Sequence, residues 1–93
     1  MSEHVQIKVV ISGRVQGVFF RQETCKTALG FNLKGYVKNL ANGSVEAVFQ
    51  GKKSDVEKAI QWCHIGPALS VVNSVIKEEQ QPLSDYSRFE VRY

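Results

Sequence analysis

The order in which hydrophobic periodicities succeed one another restricts the fold of this chain more than any other feature. Val5, Ile7, Val9 and Ile11 alternate with Gln6, Lys8 and Val10, the period of two that marks a half-buried strand. Over Phe20 to Leu29 the period becomes helical, with Phe20, Thr24 and Ala28 on one face, Thr27 and Phe31 close by, and Gly30 placed to stop it. Lys34 to Leu40 reads as a second strand. Asn42-Gly43 follows as a hairpin signal, because both residues tolerate positive φ. Val45, Ala47 and Phe49 then alternate with Ser44, Glu46 and Val48 as far as Gly51. Ser54-Asp55-Val56-Glu57 has the form of a capping box, and Val56, Ala59, Ile60 and Cys63 mark one face of a helix that Gly66-Pro67 ends. Val71 to Lys77 predicts a fourth strand with less regular alternation. Glu78 to Ser87 reads as a polar loop, and Phe89, Val91 and Tyr93 as a short last strand.

That order, β-α-β-β-α-β with one strand added, is the split βαβ or ferredoxin-like pattern. The expectation is an α+β sandwich: an antiparallel sheet with both helices on one face, since each apolar stripe needs a partner, and a short extra C-terminal strand. With 93 residues, 43% hydrophobic and 23% charged, the chain suits one compact core and a single domain spanning 1–93. Its apolar runs stop at three residues, such as Val9-Val10-Ile11, against the roughly 20 that a membrane span needs. Met1-Ser2-Glu3-His4 carries neither the basic nor the apolar region of a signal peptide. Two cysteines, Cys25 and Cys63, in such a chain fit a reducing, cytoplasmic compartment, with a single bridge left open.

Residues Gly13 to Arg21 join the first strand to the first helix, with glycines at 13 and 17. Glycines let a backbone turn tightly and bring its amides close to a ligand. The helix that follows adds free N–H groups and partial positive charge, and Arg21 stands in its first turn, where a planar guanidinium grips a phosphate with two donors. On spacing alone two readings stay open: an anion cradle, or a plain connection with a solvated arginine, the commoner case. Neither the Walker pattern nor the Gly-x-Gly-x-x-Gly pattern is present, so no nucleotide or magnesium is implied. Net charge +3 and a pI near 9.0 favour an anionic ligand without separating a small phosphate from nucleic acid. The basic residues are scattered, which argues against nucleic acid.

Gly13-Arg14-Val15-Gln16-Gly17-Val18-Phe19-Phe20-Arg21 resembles the signature loop of the acylphosphatase family. Gly35-Tyr36-Val37-Lys38-Asn39-Leu40-Ala41-Asn42-Gly43-Ser44-Val45 resembles that family's second block. The similarity runs over nearly the whole chain, and two blocks at the expected separation are far more specific than either one. The resemblance implies a hydrolase that splits the carboxyl-phosphate bond of small acyl phosphates. It implies that the amides of Val15, Gln16, Gly17, Val18, Phe19 and Phe20, with the Arg21 guanidinium, bind the phosphate, and that Asn39 orients the attacking water. It implies no cofactor, no metal, no covalent intermediate, no nucleic-acid or membrane partner, a monomer, and inorganic phosphate as product inhibitor. Such a site can do without His, Cys or carboxylate catalysts, because a carboxylate leaves without needing a proton and preorganised donors carry the charge that develops on the phosphoryl oxygens. Read without the resemblance, an Asn ahead of a turn more often bonds its own backbone.

Other residues have plainer uses. Cys25 lies one turn beyond Arg21, with no base beside it in the sequence; Cys63 reads as a small buried hydrophobe and Cys25 as the more exposed of the two. His4 and His64 lack metal-ligand spacing. Lys52-Lys53 reads as a solvated turn, Glu78-Glu79 as a solvated strand end, and Trp62 and Tyr36 as packing residues. The main rival is an RNA-recognition module, since Lys34-Gly35-Tyr36 imitates part of its aromatic strand, though on the second strand and without the later aromatics. The other is an interaction domain that kept the fold without the activity.

Overall fold

The computed structural model describes residues 3–81 and 83–93. Met1 and Ser2 of the stretch inspected for a leader, and Pro82 of the polar loop, lie outside the described residues. The elements are β1 (His4–Arg14), α1 (Phe20–Gly30), β2 (Lys34–Asn39), β3 (Val45–Lys52), α2 (Lys53–Ile65), β4 (Val71–Glu79) and β5 (Phe89–Arg92).

The sheet runs β4-β1-β3-β2-β5. Antiparallel ladders pair Ile7 with Phe49, Val9 with Ala47 and Ile11 with Val45, so the alternation read in β1 and β3 meets on one face. Phe20 and Ala28 of α1 and Val56, Ala59, Ile60 and Cys63 of α2 join Val5, Val9, Ile11, Val45 and Phe49 in one buried cluster. Both helices therefore cover the same face, as their stripes require. β5 departs from the antiparallel expectation: it lies beside β2 in parallel, Val37 opposite Val91, and makes the sheet mixed.

Between the β4 edge and the β5 edge, Gln80 and Ser84 lie over the face that the helices leave uncovered. They are held there by Gln6, only 2% exposed. Its amide donates to Gln80 Oε1 at 2.7 Å and to Ser84 Oγ at 3.1 Å, and its carbonyl accepts from Gln50 Nε2 at 2.9 Å and from the Ser84 amide at 2.7 Å. A glutamine buried with all these partners satisfied is a specific clamp rather than a defect.

Several boundaries differ from the sequence reading, each for an identifiable reason. Gly30 stays helical, and the left-handed residue that ends α1 is Asn32, φ 58. The Leu33 amide donates to Ala28 O at 2.9 Å and the Asn32 amide to Leu29 O at 3.1 Å, the Schellman pattern with Asn in glycine's usual place. Gly51 does not end β3, because the ladder continues to Lys52 opposite His4. A Cβ at Gly51 would sit 2.6 Å from Leu33 Cδ2, so the glycine serves a close approach. α2 starts at Lys53 without a side-chain cap, its first amide donating to Glu3 O at 2.9 Å, so Ser54 lies inside the helix rather than at its cap. β4 extends two residues past Lys77, where Glu78 pairs with Lys8 in the ladder and by an ion pair of 3.5 Å. In the β2–β3 hairpin only Gly43 takes positive φ, 93. The Gly43 amide donates to Leu40 O at 3.2 Å, which makes this a three-residue loop with a bulge rather than a two-residue primed turn.

Candidate active site

β1 ends against β4 with unusual closeness. The ladder slips between Ser12 and Gly13. At Gly13, φ 129, an added Cβ would lie 2.1 Å from the Val71 carbonyl oxygen, so only glycine fits. From there the chain turns through residues 15–19. Val15, Val18 and Phe20 are buried and pin the loop into the core. Between them Gly17 and Phe19 take left-handed conformations, φ 74 and φ 65. A bulky residue held left-handed costs on the order of 1–2 kcal/mol, a strain typical of functional loops. Among the described residues, the amides of Val15 to Phe20 donate to no backbone or side-chain acceptor. α1 begins at Phe20 with no side-chain cap, so its first amides also point free. Consecutive free amides at the positive end of a helix form an anion-binding concavity.

The two expected catalytic residues meet here. Arg21, in the first turn of α1, and Asn39, the last residue of β2, line one cavity of about 180 Å³ with Val15, Gly17, Phe19, Phe20 and Gln22. Arg21 is the sole charged residue in that lining, so its charge is uncompensated within the cavity. Its guanidinium lies 4.7 Å above the Tyr93 ring, and Nη1 donates to Arg92 O at 3.4 Å. Asn39 is half-buried and held by its ladder partner Val45. Of the loop residues expected at the site, Gln16 and Val18 do not line the cavity. Val18 is turned into the core. Gln16 reaches the hairpin instead, its Nε2 donating to Leu40 O and Ser44 O, both at 2.9 Å. That link ties the loop to the strand carrying Asn39. No sequence signal shows where a loop glutamine will point, and the sequence reading gave Gln16 only a backbone role. Gln22 and the C-terminal support of Arg21 were likewise missed, because both depend on which strand closes beside α1.

Of the other residues singled out in the sequence, Lys52 and Lys53 form no turn, since β3 runs directly into α2 there. Cys63 is buried, and burial pushes its thiol up to about 12; burial also raises Cys25. Neither is a ready thiolate. Tyr36 does not offer an open ring to a base. Its hydroxyl donates to Glu46 Oε2 at 2.7 Å, Arg92 lies 4.1 Å over its face, and Tyr86 packs at 6.1 Å. Among the described residues no three His, Cys, Asp or Glu side chains gather as a metal site, and no helix is long and apolar enough to cross a membrane.

Comparison with known proteins points one way. The acylphosphatase family model matches residues 7–91. An acylphosphatase of Trichormus variabilis is 46% identical over 87% of this chain and 80% of its own length. One from Anaeromyxobacter dehalogenans is 40% identical over the whole of both chains. The solved acylphosphatase from Coxiella burnetii superposes with a TM-score of 0.91 at 42% identity, over 96% of this chain and 93% of that one.

Proposed function

The chain belongs to the acylphosphatase family, and from that membership we propose that Arg21 and the amides of residues 15–20 bind the phosphoryl group while Asn39 holds the attacking water. As a member it is an acylphosphatase, an enzyme that hydrolyses small acyl phosphates. The observation that carries the finer reading is the shared cavity. Arg21, Asn39 and the loop residues Val15, Gly17, Phe19 and Phe20 line one cavity of about 180 Å³, a volume suited to one phosphoryl group and a water.

In this reading the water oxygen forms a bond to phosphorus as the bond from phosphorus to the carboxyl oxygen breaks. The electron pair leaves with the carboxylate, and the proton lost by the water passes to the phosphate product or to solvent. No general acid is required, because a carboxylate is stable unprotonated. The transition-state charge spreads over the phosphoryl oxygens, where a bidentate Arg21 and fixed amides act without reorganising. The Asn39 amide supplies position rather than proton transfer. The site works without metal or covalent intermediate, as a monomer, and its phosphate product competes with substrate. The two free thiols fit a reducing, cytoplasmic setting.

The test is hydrolysis of an aryl acyl phosphate by wild type and Asn39→Ala with EDTA present, inorganic phosphate being titrated as inhibitor. Turnover unaffected by EDTA, competitive inhibition, and a folded Asn39→Ala protein that still binds phosphate but turns over on the order of 100-fold more slowly is the expected result. Loss of activity with EDTA and rescue by a metal would refute the metal-free mechanism. An Asn39→Ala protein of unchanged kcat would remove Asn39 from the chemistry.

A further inference from the structure

A second cavity, of about 320 Å³, adjoins the first and shares Phe19 with it; Val18, Glu23, Pro67, Ala68 and Leu69 complete its lining. Apart from Glu23 its walls are apolar. Two of them are side chains that a core would ordinarily claim, yet Phe19 is 66% exposed and Leu69 67%. Phe19 stands outward on a left-handed backbone. The opposite wall is a built feature. Ser70 Oγ donates to Pro67 O at 2.7 Å and the Ser70 amide to the same oxygen at 2.9 Å. A Cβ at Gly66 would lie 2.7 Å from the Phe20 ring, so this turn packs directly onto the phosphate loop.

Topology sets the side on which this cavity lies. In the order β4-β1-β3-β2-β5, the end of β1 stands between the start of β4 and the end of β2. The end of β2 carries Asn39, and the 66–70 turn leads into the start of β4. Asn39 and the 66–70 turn therefore stand on opposite sides of the end of β1 along that edge of the sheet. In-line displacement at phosphorus needs the entering water and the leaving carboxylate on opposite sides as well.

We propose that this second cavity is an acyl subsite, which takes the neutral, apolar aryl or branched alkyl part of the acyl phosphate, and whose Glu23 disfavours acyl groups carrying a second anion. The proposal rests on the reading of the phosphate loop and Asn39 given above. Phe19, Pro67 and Leu69 supply apolar area next to the bond that breaks, and the Glu23 carboxylate adds like-charge repulsion toward an anionic tail.

The experiment compares kcat/KM for acetyl phosphate, benzoyl phosphate and 4-carboxybenzoyl phosphate in wild type, Leu69→Ala and Glu23→Gln, with thermal melts to establish that each variant is folded. Intrinsic reactivity cancels when the ratio between two substrates is compared across variants. Leu69→Ala should cut the benzoyl-to-acetyl ratio by about fivefold while leaving acetyl phosphate turnover unchanged. Glu23→Gln should raise the carboxybenzoyl-to-benzoyl ratio by about threefold to tenfold. A benzoyl-to-acetyl ratio that is the same in wild type and folded Leu69→Ala overturns the subsite while leaving the hydrolase reading intact. An unchanged carboxybenzoyl ratio in Glu23→Gln overturns the charge selection. Failure of folded wild type on all three substrates overturns the reading of the phosphate loop beneath both.

Discussion

The side-chain amide of Gln16 donates to the carbonyl of Leu40 at 2.9 Å, one residue beyond Asn39. The same nitrogen also donates to Ser44 O at 2.9 Å, on the far side of the hairpin. The loop with the free amides and the strand with Asn39 are thus joined by one side chain that does not line the cavity itself. In the proposed mechanism a small error in the spacing of the loop and Asn39 is costly for turnover, because positioning is most of what such a site contributes.

Gln16→Met keeps the length of the side chain and removes both donors. It should lower kcat about tenfold or more, with a smaller change in KM, and cost about 1–3 kcal/mol of stability, since two carbonyls lose a partner. Steady-state kinetics beside urea denaturation measure both. Lost stability with kcat unchanged would make Gln16 a brace for the fold alone.

Arg21→Lys keeps the charge and loses the fork. A lysine cannot offer two parallel donors, nor stack on the Tyr93 ring as the guanidinium does at 4.7 Å. The inhibition constant for inorganic phosphate should rise on the order of tenfold and kcat/KM should fall on the order of 100-fold. Near-normal values in the lysine variant would show that charge alone suffices.

Gly13→Ala should be among the most damaging single-methyl additions in the chain. The new Cβ would stand 2.1 Å from Val71 O at a φ of 129. Backbone on both sides has to move, and a loss of about 3 kcal/mol or more is expected. Denaturant titration gives the stability, and phosphate inhibition of whatever protein folds shows whether the loop has shifted with β1.

Stability should fall at alkaline pH through Cys63. Below the ordinary thiol value of 9.0 the group is neutral folded and unfolded, and nothing is lost. Above it the unfolded chain ionises while the buried thiol stays protonated, so stability drops by up to about 1.4 kcal/mol per pH unit until the folded value of about 12 is reached. Cys25 is raised by burial too and acts in the same direction. Urea denaturation from pH 8 to 10.5 on wild type and Cys63→Ala should show the steeper fall in wild type. Parallel curves would remove Cys63 as the cause.

Much of the molecule was legible because its local periodicities agree with its tertiary contacts. The alternation of Val5, Ile7, Val9 and Ile11 and the helical face of Val56, Ala59, Ile60 and Cys63 both end in the core. In two of the places where the reading failed, a partner distant in sequence had overruled a local signal. Gly51 looked like a stop but gives way to Leu33. Ser54 looked like a cap, but pairing between Lys52 and His4 prolonged β3 and left it inside the helix.

By itself, the sequence determined the order of elements, the faces they bury and the two blocks that carry Arg21 and Asn39. Those properties depend on neighbours within a few residues, where side-chain period and turn chemistry act directly. Only the tertiary structure decided that Arg21 and Asn39 share a cavity, that Gln16 bridges their supports, that β5 runs parallel to β2, and that the exposed Phe19 and Leu69 line a cavity together. These relations join residues far apart along the chain. They exist once strand order and register bring the segments together, and no spacing within a single segment encodes them.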